Sequence, residues 1–140
     1  MIHTGFEKFG KVSYTSETNV NDFVKHLEQG KVMATKCKQC GKVFFPPRAD
    51  CSSCFSKSMD WKELGSSWKL ETYTTAHFGP TGFEDDVPYT LALAQNEQGE
   101  KVFARLSKGI KPEETKLGME LKLAPVKLPN EKLSYEFRKA

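Results

Sequence analysis

The chain has 140 residues, 28% charged and 38% hydrophobic, with a formal net charge of +3. That composition describes a globular chain of one ordinary domain or two very small ones, not a disordered one. It has no apolar run near the roughly 20 residues of a membrane span, and the small positive charge does not demand a nucleic-acid partner.

The opening residues, Met1 to Gly5, have no basic region followed by an apolar one, so no secretory signal is read and a reducing cytoplasm is expected. In residues 1–18, Phe6, Phe9, Val12 and Tyr14 follow neither period. They are read as an extended arm laying aromatics on its own chain or on a partner. Residues 20–29 are read as a short helix, with Asn19 or Asn21 as cap, Phe23, Val24 and Leu27 on one face, and Gly30 as its stop. His26 on that helix is read as a solvated surface residue.

Strands are expected at Lys31–Lys36 and Lys42–Phe45, flanking Cys37-Lys38-Gln39-Cys40-Gly41. Cys51-Ser52-Ser53-Cys54 follows ten residues later, and these four are all the cysteines of the chain. Two C-x-x-C pairs on facing turns complete a tetrahedron of sulfur, which predicts a structural Zn2+ held by Cys37, Cys40, Cys51 and Cys54, one per chain. Two disulfides or an iron–sulfur cluster fit the spacing and the compartment less well. Lys36, Lys38 and Lys42 are expected to lower the thiol pKa values by proximity. With four thiolate ligands no position is open for water or substrate, so this metal is read as holding the fold.

Met59, Trp61 and Leu64 lead into an all-β region. Strands are read at Trp68–Phe78, Tyr89–Gln95, Lys101–Leu106, Met119–Pro125 and Leu133–Arg138. Gly99 closes a hairpin turn, and Pro112-Glu113-Glu114 gives one helical turn in a longer connection. Alternation is clean at Met119, Leu121 and Leu123, inside, against Glu120 and Lys122, outside. Five strands with one longer connection between the third and fourth predict a five-stranded Greek-key barrel of OB type. An SH3-like barrel or open sandwich is the alternative. The chain is thus read as mainly β: residues 1–30 an arm and short helical segment, 31–60 a zinc ribbon, 61–140 an OB-fold.

No catalytic set emerges. His3, His26 and His77 lack a nucleophile, because the cysteines are committed to metal, and no G-x-S-x-G or H-E-x-x-H occurs. Glu84, Asp85 and Asp86 are read as solvated loop acids, and His77 as a barrel-edge residue. Phe45, Pro46, Pro47 and Arg48 form a stiff apolar strip ending in a guanidinium. With Phe78, Phe83 and Tyr89 opposite, they would make a groove suited equally to a nucleotide-bearing cofactor tail or to single-stranded nucleic acid. Otherwise Phe44 and Phe45 simply seal the ribbon against the barrel.

The run C-x-x-C-G at Cys37–Gly41, F-P-P-R at Phe45–Arg48, C-x-x-C at Cys51–Cys54, then Trp61, Pro88-Tyr89 and Gly118-Met119, resembles the acyl-CoA-associated zinc-ribbon/OB-fold proteins, long labelled a domain of unknown function. The resemblance covers roughly residues 20–140. It implies a rubredoxin-like ribbon and a non-catalytic scaffold that partners a thiolase or hydroxymethylglutaryl-CoA synthase and helps hold or channel acyl-CoA. The strip residues and Phe78 and Tyr89 are its candidate acyl-CoA contacts. A single-stranded nucleic-acid-binding module is the competing class. Glu71, Glu120 and Glu136 beside the strand lysines weigh against it. Phe55 stands where the family has glycine, so the second knuckle is expected to turn differently.

Overall fold

Residues 5–11 and 18–140 are described by the computed structural model. A 3-10 turn (Phe6–Lys8) precedes helix α1 (Asp22–Glu28) and strands β1 (Met33–Cys37), β2 (Val43–Phe44) and β3 (Met59–Glu63). Then follow β4 (Trp68–Ala76), β5 (Tyr89–Gln95), β6 (Lys101–Leu106), a 3-10 turn (Pro112–Glu114), β7 (Glu120–Lys127) and β8 (Leu133–Lys139).

α1 is too short to persist in isolation. It holds because Phe23, Val24 and Leu27 are buried and because its end is closed. Gly30, at φ +83°, donates to Leu27 O, and Lys31 N–H donates to His26 O, the double closure of a Schellman motif. The expected side-chain cap is not made. Asn21 precedes the helix but already has helical φ and ψ, and its Oδ1 accepts the Thr18 N–H at 2.9 Å instead.

β1 lies between β2 and β3 in a three-stranded antiparallel sheet. β3 pairs with β1 along its whole length, Met33 opposite Glu63 and Cys37 opposite Met59. The barrel is closed in the order β4-β5-β6-β8-β7. A bulge between Leu70 and Thr72 bends β4 so that it meets both neighbours, with Lys69 opposite Gln95 on β5 and Glu120 on β7. β6 and β8 run parallel, because five strands closed into a ring cannot be antiparallel at every pair. Inside, Trp68, Leu121 and Phe137 are fully enclosed beside Ala92, Ala94 and Ala104. Small residues opposite large ones fill a narrow barrel without overpacking. The expected alternation on β7 is observed: Leu121 and Leu123 are buried and Glu120 and Lys122 exposed, with Met119 half-buried just ahead of the strand.

Ribbon, helix and barrel share one apolar core. At their meeting point five rings pack: Phe6, Phe9, Phe23, Phe45 and Tyr135, with centroid separations of 5.1–6.1 Å. Residues 5–11 therefore dock on their own chain. Phe9 bridges to Leu133, and Gly10 N–H donates to Leu133 O at 2.7 Å. Val12 and Tyr14 of the expected arm, and His3, lie outside the described residues. A second tie joins Lys62 of β3 to Glu100 of the β5–β6 hairpin at 2.5 Å. Glu100 is also held by Asn96 Nδ2 at 2.7 Å.

Candidate metal centre and its surroundings

β1 delivers Cys37 into a tight turn. Cys37 N–H donates to Lys42 O, and Gly41 N–H to Cys37 O, both at 2.9 Å, with Gly41 at φ +79°. The second knuckle repeats this bond for bond: Cys51 N–H to Ser56 O and Phe55 N–H to Cys51 O, both at 2.9 Å. Phe55 takes Gly41's place at φ +62°. The expectation of a different turn is thus overturned. The left-handed conformation costs an L-residue roughly 1–2 kcal/mol, and Phe55 bears it because its ring, 81% exposed, meets no obstacle.

The turns aim four sulfurs at one point. Cys37 Sγ lies 3.5 Å from Cys54 Sγ and Cys40 Sγ 3.5 Å from Cys51 Sγ, and all four are within 4.8 Å of one another. A tetrahedral zinc with bonds near 2.3 Å has sulfur–sulfur edges of about 3.8 Å, so the donor set fits Zn2+. The surroundings of the thiols point the same way. The N–H groups of Cys40 and Gln39 bring the Cys37 thiol down to about 6, and those of Cys54 and Ser53 lower Cys51. The Ser56 N–H favours the Cys54 thiolate, yet burial and the thiols of Cys37, Cys51 and Cys40 outweigh it and push Cys54 up to about 12. Four thiolates this close ionise together only around a cation. The backbone, rather than the flanking lysines, lowers the thiols. Lys38 pairs with Asp60 at 3.4 Å and Lys42 lies over Phe44. A bound Zn2+ would supply folding free energy here, with its coordination filled by protein.

The F-P-P-R strip leaves β2, and its two ends line separate clefts of about 500 Å3, Arg48 one and Phe45 the other. Phe45 turns inward, 5.1 Å from Tyr135 and 6.0 Å from Phe23. Pro46 is exposed and Pro47 half-buried. Arg48 donates its N–H to Thr35 Oγ1 at 2.9 Å, pairs with Asp50 at 3.5 Å, and places its guanidinium 5.7 Å from the Phe44 centroid. Its cleft is completed by Lys57, Met59 and Trp61. Phe78 and Tyr89 lie elsewhere, at the far end of β4 and β5, and no ring contact among the described residues joins them to Phe45. Phe78 is 91% exposed, and Tyr89 lies under Arg105, whose guanidinium carbon is 4.2 Å from the ring centroid.

Around Tyr89 is a cluster the sequence did not reveal. Arg105 and Lys11 reach Asp86 at 3.1 and 3.4 Å, and Lys108 Nζ donates to Asp86 O at 3.0 Å. Asp86 is therefore not a solvated loop acid. Burial opposes its ionisation, but Arg105 and Lys11 hold its carboxyl below the usual range. Nor is His26 a solvated surface residue. Its ring meets Trp61 edge-on at 5.1 Å, and its Nδ1 is buried with no hydrogen-bond partner among the described residues. His77 is exposed. No helix among the described residues is long and apolar enough to cross a membrane.

Residues 24–60 match the rubredoxin-like zinc ribbon domain of ChsH2, and residues 61–125 its C-terminal OB-fold domain. A DUF35 domain-containing scaffold protein of Pyrococcus furiosus is 34% identical over 110 residues, covering 78% of this chain and 79% of the relative. The benzoylsuccinyl-CoA thiolase subunit BbsA of Geobacter metallireducens is 27% identical over 107 residues, covering 74% and 71%. Among solved structures, the Ltp2-ChsH2(DUF35) aldolase contains a chain that superposes with a TM-score of 0.73 at 26% identity, covering 91% of this chain and 98% of that one.

Proposed function

This chain belongs to the ChsH2 (DUF35) family of zinc-ribbon and OB-fold proteins, and from that premise we propose that it is a non-catalytic, cytoplasmic accessory subunit of a thiolase-type enzyme, helping to hold acyl-CoA. The observation that carries this reading is the convergence of all four cysteines on one closed centre. The chain's strongest nucleophiles are thereby used to hold the fold, one zinc per chain. Relatives named as a scaffold protein and as a thiolase subunit support it.

For acyl-CoA we infer contact along Phe45, Pro46, Pro47 and Arg48, with Phe78 and Tyr89 at a separate point on the barrel. The strip is stiff, so it loses little entropy on binding. The apolar pantetheine arm would lie along the prolines and an anionic phosphate would meet Arg48. A charge-assisted contact is worth about 1.5–3 kcal/mol, so Arg48→Ala should weaken acyl-CoA retention roughly ten- to a hundredfold. The Arg48–Asp50 pair is exposed, 49% and 58%, and such pairs contribute about 0–1 kcal/mol, so the variant should melt within a few degrees of the parent. Earlier melting with unchanged affinity contradicts the contact. Binding of a labelled oligonucleotide with a steep salt dependence would favour the nucleic-acid reading instead.

A further inference from the structure

The two knuckles form the same turn with different residues at its tip, Gly41 at φ +79° and Phe55 at φ +62°. The first knuckle shows that glycine closes this turn with the same 2.9 Å bond. Phenylalanine is therefore not needed for the turn, and its backbone is in a region that L-residues avoid. Nor does the ring stabilise the fold. It is 81% exposed, and among the described residues it makes no ring contact. A bulky residue kept in a disfavoured backbone conformation that glycine would take without cost points to function rather than stability.

Its surroundings fit an anchor. Ser52, Ser53, Ser56 and Ser58 flank it, so small polar side chains let a single ring protrude. The knuckle beneath is closed by two backbone hydrogen bonds of 2.9 Å, and an aromatic side chain has only two torsions to fix on docking. Lys57, two residues on, is exposed and makes no ion pair among the described residues, which leaves a cation at the rim. We propose that Phe55 docks into an apolar pocket, bordered by acidic side chains, on the thiolase-type subunit. This rests on the accessory-subunit reading above and goes beyond it by naming the contact.

The test is Phe55→Gly, which restores the glycine of the first knuckle and should fold at least as well as the parent. The full chain, zinc-loaded, is titrated against the thiolase-type subunit encoded in the same genome, with melting temperature and metal content measured on each variant. An anchoring aromatic predicts an unchanged or higher melting temperature, full metal content, and affinity at least about thirtyfold weaker. Lys57→Glu should weaken binding several-fold, an effect lost in high salt. Unchanged affinity in Phe55→Gly overturns the anchor, as does loss of stability or metal, which would make Phe55 structural. If sedimentation shows the parent to self-associate through this residue, the occupant is a second copy and the proposal also fails. Absence of binding by the parent overturns the accessory-subunit reading, and the anchor with it. Binding that Phe55→Gly retains overturns the anchor alone.

Discussion

Replacing Phe23 by alanine tests whether helix, ribbon and barrel are one cooperative unit. Phe23 is 2% exposed and its ring centroid is 5.9–6.1 Å from those of Phe9, Phe45, Tyr135 and Phe6. It thus joins the arm, the strip after β2, and β8. A buried Phe→Ala change costs about 3–5 kcal/mol through lost burial and the cavity left behind. With an unfolding entropy near 2.1 cal/mol/K per residue, a chain of 140 residues should melt roughly 10–17 °C lower. Trp61 lies on β3 in the ribbon sheet and Trp68 inside the barrel, so their summed fluorescence senses both parts. Melting is followed by fluorescence and far-ultraviolet circular dichroism on the zinc-loaded chain. The parent should show one transition, coincident by both probes. A drop under about 3 °C, or separate ribbon and barrel transitions in the parent, would refute the shared core.

Removal of the metal should unfold the ribbon, because metal binding supplies of order 10 kcal/mol in small zinc modules. Elemental analysis should find one zinc per chain, and Cys40→Ser should lose both zinc and solubility. Iron with visible absorbance would contradict the assignment. Acid should loosen the ribbon–barrel tie. Burial raises the Glu100 pKa, but Lys62 and Asn96 more than offset this and hold the carboxyl below its ordinary 4.5. Its contribution is therefore present above that value and lost as pH falls through the lower folded value. Glu100→Gln should flatten stability against pH below about 4.5; an unchanged acid limb would show that the pair contributes nothing. Gly41→Ala should cost roughly 1–2 kcal/mol from its positive φ, measured as a shift in the urea midpoint.

Local patterns carried most of the fold. β5 and β6 span the predicted residues, Gly99 and Gly30 hold the expected positive φ, and the Pro112–Glu114 turn lies in the predicted connection. These features depend on period-two alternation or on backbone geometry that few residues tolerate. The metal centre was legible for the same reason, since spacing alone sets which sulfurs can meet. What sequence did not reveal depends on contacts distant along the chain. Asp86 reads like its neighbours Glu84 and Asp85 until Lys11 and Arg105 arrive from other elements. Phe45 reads equally as a groove wall or as a seal between ribbon and barrel, and its contact with Tyr135 of β8 decides for the seal. Asn21 looked like a cap because its type favours one, and its own helical φ and ψ direct it to Thr18. Phe55 defied propensity because an exposed knuckle tip imposes only the backbone cost.

The most direct measurement of the central claim is acyl-CoA turnover by three samples: this chain alone, the thiolase-type subunit alone, and the two together. An accessory subunit gives no turnover by the chain alone, weak or no turnover by the thiolase-type subunit alone, and full turnover by a stable complex of the two containing zinc in this chain. Turnover by the isolated chain that one point substitution abolishes would contradict it, as would a thiolase-type subunit that neither binds this chain nor changes its rate when it is present.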